Sequence, residues 1–150
     1  MELKIPPPLV GLILGLLMWS LAQQTSFSAI TFELSETFAL IALFVGLAID
    51  AAAIIPFLLA KTTVNPMKPD NASQLVNTGI YKYSRNPMYL GTLVLLIALV
   101  IWLGNFINII FLYFFIWYIT TFQIKPEEEV LEKLFGEEYL RYKMKVRRWI

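Results

Sequence analysis

The chain has 150 residues, enough for one domain, and 58% of them are hydrophobic whereas 15% are charged. Soluble domains have roughly 45–50% apolar and about 25% charged residues, and so short a chain cannot bury this much apolar surface, which predicts a membrane protein. The absence of Cys and His excludes disulfides, thiol nucleophiles and His-dependent triads or metal sites, and the net charge of +1 gives no field that would attract nucleic acid.

Charged residues divide the chain into apolar runs. The first run lies between Lys4 and Glu33, and the second lies between Glu36 and Lys61. The third run extends from residue 86 to residue 124, which is 39 residues. As one helix the third run would be about 60 Å long, twice the hydrocarbon thickness of a bilayer, so we expect it to fold back on itself.

A turn at Gly104, Asn105 and Asn108 is the natural place for this reversal. The sequence therefore predicts an all-α integral membrane fold in a single membrane-embedded domain, 1–150. It has four transmembrane helices and a cytoplasmic C-terminal helix. The predicted spans are about 8–28, 37–60, 87–103 and 106–124.

The twelve Lys and Arg residues predict the orientation. They all lie before the first span, in the loop 61–86 or in the tail 125–150. With four spans these three regions share one side of the membrane, and the positive-inside rule makes that side cytoplasmic. We expect both termini to be cytoplasmic, and the first span to be retained, because no small-residue cleavage site follows it.

The tail begins with Pro126 followed by three glutamates, a pattern typical of a helix start whose acids face the positive end of the helix dipole. We expect Gly136 to break or bend this helix. The basic and aromatic stretch 139–149 is also typical of an interfacial helix, with Trp149 at the depth of the lipid headgroups. Adjacent carboxylates on a helix point about 100° apart, so the glutamates make a poor metal cage and we expect no metal.

Two blocks resemble a known family. Residues 73–91 read SQLVNTGIYKYSRNPMYLG. They are similar to the signature of the isoprenylcysteine carboxyl methyltransferase and phospholipid methyltransferase family, roughly L-V-x-x-G-x-Y-x-x-x-R-H-P-x-Y-x-G. Residues 127–139 read EEEVLEKLFGEEY and resemble the Glu pair and F-G-x-x-Y block of that family. The resemblance extends from Leu75 to the C-terminus, and each block lies beside a predicted span.

The resemblance implies an integral-membrane methyltransferase that uses S-adenosylmethionine and a lipophilic acceptor, either an isoprenylcysteine-like carboxylate or a lipid headgroup. It implies that Arg85 and Asn86 align the reactants. At Asn86 most of the family has His, and an amide donates a hydrogen bond but carries no charge. The cofactor contacts that it implies are Gln74, Leu75, Val76, Gly79, Tyr81, Asn86, Pro87, Tyr89, Glu127 and Glu128.

Each of these residues also has a structural interpretation. Glu127 and Glu128 complement a helix dipole, Arg85 is a charge at the membrane edge, and Tyr81 and Tyr89 are interfacial aromatics. Asp50, the one charged residue inside a predicted span, either lines the acceptor channel or is held by a neighbouring helix.

Methyl transfer from a sulfonium mainly requires alignment of donor and acceptor, so a chain without His and Cys is suited to it. The alternative is a non-catalytic four-helix membrane protein with a structural or partner-binding role, which the departure at Asn86 favours. A transporter is a weaker third interpretation. Binding of S-adenosylhomocysteine distinguishes the first two.

Overall fold

A computed structural model describes residues 5–25, 33–60 and 74–150. Its elements are α1 (Pro7–Gln24), α2 (Ser35–Ala60), a 3₁₀ turn (Gly79–Lys82), α3 (Pro87–Leu103), a second 3₁₀ turn (Phe106–Asn108), α4 (Ile109–Ile119), a π turn (Thr120–Ile124) and α5 (Lys125–Lys145). The described ranges contain no strand, which confirms the all-α prediction. Residues 61–73 of the predicted loop 61–86, and the last three residues of the first predicted span, lie outside the described residues.

Within the described ranges, three helical stretches are long and apolar enough to cross a membrane: Pro7–Gln24, Ser35–Leu59 and Phe106–Lys145, of which the last has 40 residues and includes α5. The apolar helix α3 has 17 residues, about 25 Å, which is the short end of the usual range for a span. Large apolar side chains such as Leu58 and Trp102 are exposed on these helices. These surfaces support membrane association, and the four-span topology stays a prediction.

Close packing of α2 against α3 depends on two glycines. A Cβ on Gly46 would lie 2.9 Å from Leu95 Cγ, and a Cβ on Gly91 would lie 3.1 Å from the carbonyl oxygen of Gly46. The Asp50 carboxyl group fills the remaining space beside Gly91. Small residues allow helix backbones to approach in this way in membrane proteins. On the other side of α3, α1 and α4 complete a core that includes Met18, Leu96, Phe115 and Ile119.

The predicted reversal after α3 is confirmed. Gly104 ends α3 with a left-handed φ of 58°. The Asn105 side chain accepts from the N–H of Ile107 and donates to Thr25 Oγ1 at 2.7 Å. Asn108 is buried and donates to the carbonyl oxygen of Met18 at 3.1 Å. The turn therefore also fastens the end of α1 to the bundle.

α5 begins at Lys125 with Pro126 in its first turn, as predicted, but α5 is continuous with the helix before it. The backbone passes from α4 through the π turn into α5 with helical dihedral angles throughout, and the N–H of Lys125 donates to the carbonyl oxygen of Thr120. A proline inside an α-helix clashes with the carbonyl four residues earlier, and a π turn widens the backbone at this point. Because no free helix start exists there, Glu127 and Glu128 do not serve to complement a dipole.

Gly136 interrupts α5, as predicted. Its dihedral angles are φ 48° and ψ −122°, outside the helical region, so α5 consists of two helical halves. Beyond α5 the chain returns to the start of α3, where the N–H of Arg85 donates to the carbonyl oxygen of Arg147 at 3.0 Å. Trp149 packs, partly buried, against the core of α1, α3 and α4. Trp149 therefore lies after α5 and not on an interfacial helix, and its depth at the lipid headgroups stays a prediction.

Candidate active site at the start of α3

A chain of three polar side chains joins α3 to the π turn. Tyr89 is buried in the first turn of α3, and its hydroxyl donates to Glu127 Oε2 at 2.9 Å. The side chain of Gln123, buried in the π turn, is hydrogen-bonded to the same hydroxyl. Sequence reasoning missed Gln123 because it considered only charged residues within the spans.

The surroundings of Glu127 raise the pKa of its carboxyl group. It lies beyond the apolar part of the last stretch, and burial raises its pKa to about 7. The hydrogen bond from Tyr89 opposes this shift, and the charge of Glu128 adds to it. A positively charged ligand group beside Glu127 would favour the ionised form and thus return the pKa toward its ordinary value.

Glu128 has a different role from its neighbour, because two arginines surround it. Arg148 donates to both carboxylate oxygens, from Nε at 3.1 Å and from Nη2 at 2.7 Å. Arg85 Nη2 lies 3.0 Å from Oε1, and this pair is 9% exposed on each side. Both oxygens of Glu128 are thus engaged within the protein.

Arg85 retains donors for a ligand. Its Nε and Nη1 atoms are buried and have no hydrogen-bond partner among the residues that the structure describes. A buried donor without a partner is costly and normally marks a place where a ligand, ion or water binds. The free N–H groups of Nε and Nη1 point to different sides of the guanidinium plane's edge, so each suits a separate anionic oxygen of a ligand.

Asn86 links the start of α3 to the C-terminal segment. Its backbone N–H is bonded to Ser84 Oγ at 3.1 Å, and its side-chain nitrogen donates to the carbonyl oxygen of Arg148 at 2.9 Å. The amide therefore fixes the segment that positions Arg148 beside Glu128. Neither Ser84 nor Arg148 was predicted, because Ser84 stands at an unspecified position of the first block and Arg148 lies beyond the second block.

Tyrosines enclose the other side of this group. The hydroxyl of Tyr142 donates to the carbonyl oxygen of Tyr81 at 2.7 Å, and the ring of Tyr81 meets Phe57 of α2 edge to face at 5.4 Å. Burial raises the pKa of the Tyr81 hydroxyl, and the charge of Glu127 raises it further. Burial likewise raises the pKa of Tyr139. These hydroxyls are therefore neutral donors at physiological pH.

The remaining predicted cofactor residues lie in a second place. Gln74, Leu75, Val76 and Gly79 line a largely apolar cavity of about 500 Å³ against α2, together with Ala52, Ile55, Pro56, Leu59, Thr78 and Ile80. Gly79 has a left-handed φ of 59°, and a Cβ there would lie 3.2 Å from Pro56 Cγ. Pro87 is buried as the first residue of α3. The predicted cofactor residues thus lie in two places, this cavity and the polar side chains around Glu127. Tyr81 and Val76 belong to one buried cluster, which joins the two places.

Asp50 lies farther along α2. Its carboxyl group is packed against Gly91, and its Oδ1 atom is buried with no hydrogen-bond partner within residues 5–25, 33–60 and 74–150. Asp50 Oδ1 therefore does not form the predicted hydrogen bond to a neighbouring helix. Asp50 precedes Ala53 and Phe57 on one face of α2, and both of these residues belong to the cluster that contains Tyr81. Its acceptor-channel role stays a prediction.

Comparison with known proteins identifies the family. The sequence profile of the family described as phospholipid methyltransferase matches residues 10–138, which is most of the chain. The chain belongs to this family. The start of α3, the π turn and Glu127 and Glu128 all lie within the match.

Relatives of this family member include named enzymes. An uncharacterized protein of Haemophilus influenzae is 51% identical over 63 residues, which are 42% of this chain and all of that protein. The protein-S-isoprenylcysteine O-methyltransferase of Saccharomyces cerevisiae is 35% identical over 53% of this chain and 33% of its own length. The enzyme of the same name from Schizosaccharomyces pombe is 29% identical over 77% of this chain and 49% of its own length. The chain thus spans about half or less of these enzymes. No solved structure matches it.

Proposed function

We propose that the chain transfers a methyl group from S-adenosylmethionine to a lipophilic acceptor. Two neighbouring groups carry this proposal. Glu127 is a carboxyl group with a raised pKa, and the adjacent Glu128 pairs with Arg85, whose Nε and Nη1 atoms have no hydrogen-bond partner among the described residues. Family membership supports the same activity. The names of the yeast relatives support an isoprenylcysteine-like carboxylate as acceptor, and the family description supports a lipid headgroup.

The residues present suit the amino-acid end of the cofactor. Glu127 would hold its ammonium group, and one free N–H group of Arg85, on Nε or on Nη1, would donate to its carboxylate. Glu128 would act through Arg85, because both of its own oxygens are engaged. When bound, the cofactor supplies a methyl sulfonium with a neutral leaving group.

The protein then mainly has to bind the two reactants and orient them. Such positioning accounts for much of the rate enhancement of a displacement reaction. A carboxylate acceptor has no proton to lose, so Asn86 in place of His does not remove a required base. An amine acceptor would need a proton acceptor, for which a carboxylate or water is available. The lipophilic part of the acceptor would reach the site from the bilayer.

The decisive experiment measures methyl transfer from radiolabelled S-adenosylmethionine to a lipid extract and, separately, to a prenylcysteine analogue. We expect incorporation into one of them, together with calorimetric binding of S-adenosylhomocysteine to the detergent-purified protein. A folded protein that neither binds S-adenosylhomocysteine nor transfers the label would support the non-catalytic alternative.

Glu127→Gln is expected to weaken binding of S-adenosylhomocysteine by ten- to a hundredfold. A hydrogen bond to a charged group is worth about 1.5–3 kcal/mol, and every 1.4 kcal/mol is a factor of about ten. Calorimetry at pH 8 measures the change. Glu129→Gln is the matched control, because Glu129 is exposed on the same helix, and we expect its affinity to equal that of the unmodified protein.

The same measurement at several pH values tests the titration of Glu127. Below its pKa of about 7 the carboxyl group is protonated and loses its charge, so affinity for the ammonium-bearing ligand falls as the pH is lowered from 8 to 6. The Glu127→Gln variant has no such group and should lose this dependence. A variant with the full pH dependence would assign the titration to another residue.

Asp50→Asn tests the acceptor-channel role. The amide keeps the volume of the side chain and removes its charge, so turnover should fall severalfold while the affinity for S-adenosylhomocysteine stays unchanged. Glu36→Gln, at an exposed position in the first turn of α2, is the control. If turnover is the same in Asp50→Asn and in the unmodified protein, Asp50 does not contribute to the acceptor site.

A further inference from the structure

A second cavity of about 450 Å³ opens beside the C-terminal half of α5, away from Glu127. Four residues of α5 contribute to it at spacings of three, four and seven, which places them on one face of the helix. The 3₁₀ turn before α3 forms the opposite wall. The lining residues are Asn77, Lys82, Glu138, Arg141, Tyr142, Lys145 and Val146.

The charges of this cavity are not balanced. Lys82, Arg141 and Lys145 face Glu138 alone, and within the part of the chain that the structure describes none of the three cations forms an ion pair. Arg141 and Lys145 are one helical turn apart, where like charges repel. By contrast, the neighbouring Lys143 is paired with a glutamate at 2.9 Å. An anion in the cavity would relieve this repulsion.

In the predicted topology, the cavity lies at the depth of the lipid headgroups. Lys82 precedes the apolar helix α3 by five residues. The hydrogen bonds from Tyr142 to Tyr81 and from Arg85 to Arg147 hold the end of α5 against this turn. The cations are therefore fixed at the end of a predicted span, where clustered Lys and Arg attract anionic lipids.

We propose that this cavity binds the phosphate group of an anionic phospholipid of the surrounding bilayer. Arginine and lysine together suit a phosphate, the former as a forked donor and the latter as a point charge. Free phosphate has the same chemistry, and the position of the cavity at a membrane edge favours the lipid. The bound lipid would hold the end of α5 in place and does not depend on methyl transfer, so the proposal goes beyond the proposed function.

The test uses the full-length protein in mixed micelles that contain phosphatidylglycerol or phosphatidylcholine, with lipid binding measured by native mass spectrometry. We expect phosphatidylglycerol to bind at least tenfold more tightly than phosphatidylcholine. Lys82→Gln/Lys145→Gln should remove this preference. Lys125→Gln/Lys133→Gln removes two exposed lysines that do not line the cavity and should retain it. If Lys82→Gln/Lys145→Gln and Lys125→Gln/Lys133→Gln show the same preference for phosphatidylglycerol, the proposal is overturned.

Two further measurements distinguish the sources of phosphate and the effect of misfolding. Inorganic phosphate at millimolar concentration should not displace phosphatidylglycerol, and complete displacement would overturn the assignment to a lipid. Lys82→Arg/Lys145→Arg keeps both charges and should retain the preference for phosphatidylglycerol. If this variant also loses the preference while circular dichroism shows an intact fold, the positive charges do not account for the binding of phosphatidylglycerol.

Discussion

Glu128→Gln is expected to lower the free energy of unfolding by about 3–5 kcal/mol, the usual effect of removing one partner of a buried ion pair. The amide keeps the size of the side chain but leaves Arg85, which is 9% exposed in this pair, without a compensating charge. In a chain of this length such a loss lowers the midpoint of thermal unfolding by roughly 10 °C. Differential scanning fluorimetry in detergent measures the shift.

Two companion variants test the cause of that loss. Glu129→Gln makes the same chemical change at an exposed neighbour and should leave the midpoint unchanged. Arg148→Gln should have an intermediate effect, because Arg148 is 34% exposed and Arg85 then keeps its pair with Glu128. If Glu128→Gln melts at the same temperature as the unmodified protein, the buried triad does not stabilise the fold.

The apolar runs of the sequence predict the helices well, because burial in a membrane requires long uninterrupted segments. The bounds of α3 agree with the predicted span 87–103, and the turn at Gly104 lies where the 39-residue run must reverse. The continuity of α4 and α5 was missed. Proline followed by acids is a local signal for a helix start, whereas the π turn that accommodates Pro126 depends on the helix before it.

The candidate site shows the limit of motif reading more clearly. Glu127 and Glu128 are adjacent and equivalent in the sequence, but side chains about 100° apart on a helix meet different neighbours. One accepts from Tyr89, and the other lies between Arg85 and Arg148. The contact with Arg148 depends on the return of the C-terminal segment, for which no periodicity or spacing gives a signal. The motif thus predicts that both glutamates belong to the site, but it does not predict that they have different partners.

Gly91→Ala is the second large effect that we expect, a loss of about 1–3 kcal/mol in the free energy of unfolding, as is typical of overpacking. The new Cβ would collide with Asp50 Oδ1, lie 2.6 Å from Asp50 Cγ and lie 3.1 Å from the carbonyl oxygen of Gly46. The contact with Gly46 involves backbone, which can yield only if α2 and α3 move apart. Gly15→Ala is the control, because its nearest neighbour is Leu99 Cδ2 at 3.5 Å, an ordinary contact.

A double-mutant cycle separates the two sources of that loss. In Asp50→Ala/Gly91→Ala the carboxyl group is absent and the contact with Gly46 remains. If Gly91→Ala costs less stability in the Asp50→Ala background than in the unmodified protein, the Asp50 side chain is the main obstacle. If the cost is the same in both backgrounds, the backbone contact with Gly46 sets the limit. The cycle therefore decides whether the Asp50 side chain or the backbone limits the approach of α2 and α3 at Gly91.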